Sequence, residues 1–567
     1  MSALPAVPVP RFDQFYRHDE LTRLLQDYAA AAPGLVALSS LGKSWEGRDI
    51  WLLTLTNQAT GADTDKPAFW VDGNIHAAEL TACTACLYWL HALVTGYQAD
   101  AQISMLLDTR VVYMVPRLNP DGAELALADK PRHIRSSTRP YPFDEEPVDG
   151  LDVEDVDGDG RVLSMRIPDP HGTYKKHAAE PRLMVPREPG EFGGEYYRVI
   201  PEGTLRNYDG LKISANPDRE GLDLNRNFPA YWRQEFEQTG AGPYPTSEPE
   251  VRAMVDFITT HPNIGAAVSF HTHSGVILRP MGTHSDDDMT PEDLWLYKRL
   301  SESGAKLTGY PAVSIWHDFK YHPKKFITGT QDWVYEQLGA LFWTVEIWAP
   351  NKEAGIADYK WIDWYREHPV EDDLKLLKWS DEQCAGQAHV DWYPFRHAQL
   401  GMVELGGWDK MNYWRNPPPH LREREAARFP AWLMQIGLSL PRLEVLRAEV
   451  RALGTDTWRV RFAVANSGYL PAYVTQRALE RKVVRGTVFT IHLPAGVSLV
   501  SGRERVIGTH LEGHGPKTSL QAFLPNRDIT ADRAVVEWVV RGPRGTAVAL
   551  SATADRAGTV RTDVTLD

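Results

Sequence analysis

Hydrophobic and polar positions change rhythm twice along the chain. Leu21, Leu24, Leu25 and Tyr28 recur at three and four, which predicts a helix within Phe12 to Ala32. Val36 to Gly42 and Ile50 to Thr56 read as strands joined by Trp45-Glu46-Gly47-Arg48. Ala68 to Val71 and Val111 to Pro116 are nearly continuous apolar runs, with a helical pattern from Leu80 to about Val94 between them. Such strands alternating with amphipathic helices predict an α/β fold around a covered, parallel or mixed sheet. From about Lys130 to Asp218 the periodicity fades into a stretch rich in Pro, Gly, Asp and Arg. It is too long for a plain connection, so it is expected to be an ordered insertion.

Regular patterns return as a helix over Glu250 to Thr260, a strand over Ala266 to Phe270, a helix over Asp293 to Leu307 and a strand over Leu341 to Ile347. Val370 to Gln387 reads as a helix followed by a turn-rich connector. After Asn416-Pro417-Pro418-Pro419 the pattern becomes period two, in Trp458 to Val464, Val488 to Leu493, Ala534 to Val540 and Ala547 to Thr553. Strands of that kind separated by Gly, Pro and Asn turns predict an antiparallel β-sandwich. The expected organisation is an α/β domain over residues 1–435, with the insertion at about 130–218, and an all-β sandwich over 440–567.

At 567 residues the chain can bury more than one core. A formal charge of −14 argues against nucleic acid as a partner, because phosphate neutralisation needs clustered Lys and Arg. Cys83 and Cys86 form a C-x-x-C, but only Cys384 accompanies them, and they sit at helical spacing among Ala, Leu and Trp. They read as small core residues. The N-terminus has no basic segment followed by an apolar core, and no apolar run reaches membrane-spanning length. A cytoplasmic protein is the expectation.

The candidate chemistry begins at Gly73-Asn74-Ile75-His76-Ala77-Ala78-Glu79, where an apolar strand breaks and His76 and Glu79 follow three residues apart. One turn can aim an imidazole and a carboxylate at a single point, and both are zinc ligands. Alone the pair is weak, because a buried histidine beside a surface glutamate is commoner. Further motifs follow in order: Asn119-Pro120-Asp121-Gly122, then Arg135, then Asp223-Leu224-Asn225-Arg226-Asn227. Ser269-Phe270-His271-Thr272-His273 ends a strand, and Glu346 is a lone carboxylate inside the apolar run Trp343 to Ile347. A glutamate there is unusual unless paired or functional.

This ordered set resembles the zinc metallocarboxypeptidases of the pancreatic carboxypeptidase A type, over residues from about 15 to 350. The resemblance implies a carboxypeptidase-like mixed sheet flanked by helices. It implies zinc held by His76, Glu79 and His271, with Asp223 orienting the first histidine. Glu346 corresponds to the general base and acid for a zinc-activated water, and Arg135 to the group that stabilises the oxyanion. Asn225 and Arg226 match the pair that grips a free C-terminal carboxylate, so the expected substrate is a peptide with such an end. Gln331 matches the base of the side-chain pocket, with Leu278, Gly282 and Thr344 as walls. None is acidic, which favours a neutral or apolar C-terminal residue.

The sequence departs from the family at several points. Ala78 stands where the family often has Arg, which should weaken contacts upstream of the scissile bond. His273 replaces an aromatic tyrosine and competes with His271 as a ligand, the alignment favouring His271. Tyr321 is the nearest substrate-contacting tyrosine, although strict spacing falls near Lys324, and Lys324 or Lys325 could favour an acidic end. Asp155, Asp157, Asp159 and Gly160 fit the first half of a calcium loop whose last ligand position is Arg166; a solvated acidic loop is the other reading. Two alternatives to a carboxypeptidase remain: a zinc amidohydrolase acting on peptidoglycan peptides or other modified amides, and a binding module with a silent core. Presence of all three ligands and Glu346 weighs against the last.

Overall fold

The computed structural model describes residues 6–146, 149–216, 219–319, 327–518 and 528–567. Eight strands build the central sheet: β1 (Val36–Lys43), β2 (Asp49–Leu55), β3 (Ala68–Gly73), β4 (Val111–Val115), β5 (Ile264–Thr272), β6 (Val276–Arg279), β7 (Ala312–Ser314) and β8 (Leu341–Ile347). They lie in the order β1-β2-β4-β3-β5-β8-β6-β7. β4, β3, β5 and β8 run parallel at the centre, while β1, β2 and β6 add antiparallel pairs, so the sheet is mixed. Every residue of β3, β4 and β5 is buried, as their unbroken apolar runs require.

Helices cover both faces. Side chains of His18–Ala31, Thr81–Gly96, Ala101–Thr109, Pro291–Thr308 and Pro430–Ser439 pack on one face. Pro249–Thr260 and Thr330–Leu338 pack on the other. Cys83, Cys86 and Cys384 are free, buried and part of the first core. Among the described residues no helix is long and apolar enough to cross a membrane.

The insertion carries more regular structure than its composition suggests. Gly150–Val153 pairs with Gly203–Arg206. Ser164–Pro168, Tyr174–Lys176, Met184–Pro186 and Tyr197–Pro201 join His389–His397 and Gly401–Trp408 in a six-stranded sheet. The turn-rich connector expected after residue 387 is therefore a hairpin. Its first strand lies at the sheet edge and includes Pro394, which an edge tolerates and a periodicity reading discounts. Arg166 ties insertion to hairpin, its Nε donating to Glu404 Oε2 at 2.8 Å.

Beyond residue 442 two four-stranded antiparallel sheets share a core of Trp458, Phe462, Phe489, Ile491, Trp538 and Leu550. This β-domain docks on the first domain through Arg556, fully buried, which donates to Gly339 O at 2.6 Å and Tyr473 O at 3.1 Å. Asp293 accepts from the backbone of Gln476 and Arg477 across the same junction.

Glu250, in the first turn of its helix, is fully buried, with Oε1 accepting from Trp45 N at 2.8 Å and Oε2 without a partner among the described residues. Burial pushes its carboxyl up to about 7. A carboxyl raised on folding contributes no penalty below its unfolded pKa, and the penalty grows as pH rises through the folded value. Glu250→Gln is expected to gain stability over the parent progressively between about pH 5 and 8, by roughly 3 kcal/mol at the top. Urea melts of both proteins across that range check it; a difference that does not vary with pH contradicts it.

Candidate active site

The site is assembled at the C-terminal ends of the parallel strands, where ligands gather in open α/β sheets. β3 ends at Gly73, where the backbone of Ala82 packs so closely that a Cβ would meet Ala82 O at 2.8 Å, so the position takes glycine. Asn74 follows with φ +58°, a left-handed conformation that Asn tolerates, and its Nδ2 donates to His76 O and Ala77 O at 2.7 and 3.1 Å. That local bonding closes the turn carrying His76 and Glu79. Asn119 braces it from outside, its Nδ2 donating to Ile75 O at 3.2 Å, while the Arg135 carbonyl accepts from Ala77 N at 2.7 Å. Asn119-Pro120-Asp121-Gly122 thus supports the ligand turn, with Asn119 also capping the helix Pro120–Ala126.

Strand register supplies the rest. β5 pairs with β3 so that Ser269 faces Asp72, and with β8 so that His271 faces Glu346. Alternation places Ser269 and His271 on one side of β5. The Ser269 hydroxyl donates to Asp72 Oδ1 at 2.6 Å and lies 3.3 Å from His271 Nε2, which assigns that nitrogen as the donor. His76 Nε2 lies 3.2 Å from Asp223 Oδ1, an acceptor-only carboxylate, so it too carries the proton. Both rings therefore turn a lone pair inward at Nδ1. Those two atoms are 3.1 Å apart, with Glu79 Oε1 3.0 Å from His76 Nδ1 and Glu79 Oε2 3.2 Å from His271 Nδ1.

Two lone pairs and a carboxylate converging in a buried site repel unless a cation lies between them. Two imidazoles and a carboxylate within 4.8 Å of one another fit zinc, leaving a fourth position for another ligand. Asp223 and the Asp72–Ser269 pair fix the tautomers that such a site needs. The Asp223 carboxyl is held well below the ordinary range, burial being outweighed by Arg135, Arg226 and the hydrogen bond from His76. Glu346 moves the other way: burial first, then the charge of Glu79, push it up to about 7.

Arg135, Asn225, Arg226, Gln331, Leu278, Thr344 and Glu346 line the same cleft as His76, Glu79 and His271. Arg135 Nε donates to Asp223 Oδ2 at 2.7 Å. Arg226 Nη1 donates to Asn225 O at 2.9 Å and Thr328 O at 3.2 Å. Asn225 Oδ1 accepts from Thr330 N and Oγ1, both at 2.9 Å, which fixes the loop under the arginine. Gln331 Nε2 donates to Asp332 Oδ2 at 2.9 Å. Gly282 does not line the cleft as expected; its N–H is bonded to Asp332 Oδ1 instead. Tyr321, Lys324 and Lys325 lie outside the described residues.

His273 does not join the ligand cluster. It is buried against Trp361 and Trp414, with ring centroids at 5.1 and 5.9 Å, and burial pushes its pKa down to about 3. Sequence reasoning also missed Asp72 and Ser269, whose link to His271 exists only through strand register, and Arg415, which reaches Glu79 from 336 residues away along the chain. In the acidic loop, Asp155 and Asp157 gather with Glu202, not with Asp159. Asp159 accepts from Arg161 Nη2 at 2.6 Å, and Arg166 is engaged by Glu404. Asp155 accepts from Gly158 N and Gly160 N, and Glu202 from Val156 N and Leu163 N. The loop closes on its own donors, and the calcium expectation gains no support.

A zinc carboxypeptidase family model matches residues 21–153 and 202–359, and the chain belongs to that family. Residues 442–565 match a domain of unknown function. Mouse carboxypeptidase D is 25% identical over 412 residues, 70% of this chain and 23% of that protein. Rat carboxypeptidase A2 is 25% identical over 333 residues, 57% of this chain and 60% of that protein. The chain thus spans less than two thirds of the length of these curated relatives. A solved carboxypeptidase A from Helicoverpa armigera is 19% identical with a TM-score of 0.40, covering 66% of this chain and 75% of that one.

Proposed function

We propose that the protein is a zinc-dependent carboxypeptidase that removes the C-terminal residue of peptides. The observation that carries this reading is one cleft lined by the three metal-ligand candidates, Glu346, and the arginines 135 and 226. When bound, zinc would act as a Lewis acid on the scissile carbonyl and acidify the attacking water. Arg226, braced by Asn225 O and Thr328 O, grips the terminal carboxylate and sets the register of the substrate. Glu346, raised toward neutrality, takes a proton from the water and returns it to the leaving amine. Arg135, tethered to Asp223, faces the negative charge that develops on the carbonyl oxygen.

Leu278, Ile315, Ile327 and Thr344 make the pocket wall largely apolar, with the amide of Gln331 at its base. That lining favours a neutral or apolar C-terminal side chain, and comparing release of Phe, Leu, Arg and Glu from matched peptides checks it; preference for Arg contradicts it. The function itself is tested with paired peptides, one ending in a free acid and one amidated, with and without a zinc chelator. Chelator-sensitive cleavage of the free acid alone is expected. Equal cleavage of both peptides overturns the carboxylate clamp, and cleavage of neither overturns the peptidase reading.

A further inference from the structure

The position between the two metal ligands of the first turn is Ala78, and its small side chain is what the rest of the chain uses. Ala78 is buried in a cluster with Leu80, Ala123, Ala126 and Met411. A long side chain there would displace Met411. The segment that brings Met411 starts where Asp409 Oδ1 accepts from Met411 N and Asn412 N, at 3.1 and 2.9 Å. It ends at Asn416, which is fully buried and bonded on both sides of its amide. Asn416 Nδ2 donates to Ala78 O at 2.8 Å, and Oδ1 accepts from Thr81 N at 3.0 Å and Thr81 Oγ1 at 2.9 Å. Leu80, at the cap position of the helix Thr81–Gly96, offers no side-chain bond of its own, so Asn416 supplies the cap from outside. The residue before Asn416 is thereby held at the rim of the cleft.

That residue is Arg415. Its Nη1 lies 3.4 Å from Glu79 Oε1, a long contact, and its side chain keeps 36% exposure. Glu79 scarcely needs it, because it already faces both histidines and accepts from Thr272 N at 3.1 Å. No other protein acceptor engages the Arg415 guanidinium among the described residues. Arg135 and Arg226 are different: each is braced by protein acceptors, on the side of the cleft that carries Asp223, Asn225 and Thr328. Acidic neighbours order the three arginines along the cleft: Asp223 lies between Arg226 and Arg135, and Glu79 between Arg135, whose Nη1 is 3.8 Å from Oε1, and Arg415, on the segment that also carries Trp414. Arg415 lies outside the family match, on chain that follows the accessory hairpin. A planar guanidinium with spare donors beside a peptide cleft suits a carbonyl acceptor.

We propose that Arg415 is a substrate-positioning residue that donates to the main-chain carbonyl one peptide unit upstream of the scissile bond. This rests on the carboxypeptidase reading: with the terminal carboxylate on Arg226 and the scissile carbonyl at Arg135, the next peptide unit upstream falls beside Glu79 and Arg415. Ala78 and Asn416 are then parts of one device, the first making room for the segment and the second fixing it. The accessory segment gives the cleft a hydrogen-bond donor that the metal-ligand turn itself lacks.

The test compares two substrates with the same C-terminal residue: an acetylglycyl derivative, which has the upstream amide carbonyl, and a pentanoyl derivative of equal length, which lacks it. Arg415→Ala is expected to lower kcat/KM by about 10- to 100-fold on the first and less than about 3-fold on the second, the range of a charge-assisted hydrogen bond. Arg415→Lys should recover part of the loss, and bound zinc should stay at the parent level. Equal losses on both substrates, no loss on either, or a fall in zinc content overturns the proposal. If the parent enzyme releases the C-terminal residue and only the Arg415 comparison fails, the carboxypeptidase reading stands and this inference alone falls. If the parent cleaves neither substrate, or cleaves their C-terminal amides equally well, the carboxypeptidase reading falls and takes this inference with it.

Discussion

Glu346→Gln is expected to lower kcat on a good peptide substrate by about 10³-fold, within the usual range for loss of a general base. KM and zinc content should stay close to the parent values. Glutamine keeps the shape of the side chain but can neither accept the proton of the attacking water nor deliver it to the leaving amine. Glu346 faces His271 across the β5–β8 register, so its position is set by backbone pairing and survives the substitution. Its carboxyl is pushed up to about 7 by burial and by the negative charge of Glu79. A buried carboxyl in register with the ligand candidate His271 and facing the same cleft is placed to take and return a proton, which is why this residue is assigned the transfer. Single-turnover rates with zinc measured on the same sample separate the chemical step from metal loss. If kcat falls less than about 10-fold while zinc is retained, another group moves the proton.

The parts of this site that were legible in the sequence share one property: each lies on a local motif. His76 and Glu79 are three residues apart on a turn, His271 ends an apolar strand, and Glu346 interrupts another. Their order along the chain marks one zinc-hydrolase family while leaving peptides and other amides open as substrates. The supporting residues were hidden because their roles depend on pairing across the sheet. Asp72 is an acidic residue at the end of a strand until β3 and β5 align and place it beside Ser269. Arg415 was hidden more deeply. It follows a hairpin whose strands contain Pro394 and alternate irregularly, and whose sheet partners lie in an insertion more than 180 residues earlier.

The acidic loop shows the limit of local spacing. Asp155, Asp157 and Asp159 have the right spacing for a cation, and spacing alone cannot show that Arg161 engages Asp159 or that Glu202 arrives from the bend between Tyr197–Pro201 and Gly203–Arg206. Local pattern identified the central sheet in the same way, through runs such as Val111–Val115 that have to be buried on both faces. It did not show the six-stranded accessory sheet, whose short strands are half exposed and carry little periodicity.

Arg226→Ala is expected to remove the enzyme's preference for a free C-terminus. On the proposed reading, kcat/KM for the free-acid peptide should fall by about 10²- to 10³-fold, the cost of losing a charged, bidentate contact. The already poor rate on the amidated peptide should hardly change, so the two substrates converge. Arg226 is suited to this task by its surroundings. Its Nη1 is spent on Asn225 O and Thr328 O, which fixes the plane of the guanidinium, while Nε stays 3.9 Å from Asp223 Oδ2. The Asp223 carboxylate is nearer to Arg135, at 2.7 Å, so it does not neutralise Arg226 through a close pair. Arg226→Lys should recover little, because an ammonium cannot hold both carboxylate oxygens in one plane while keeping the two carbonyl contacts. Melting temperatures of the variants exclude unfolding as the cause, since the side chain lies at the cleft wall and not in either apolar core. If free-acid and amidated peptides lose rate in the same proportion, Arg226 holds the loop and the terminal carboxylate is recognised elsewhere.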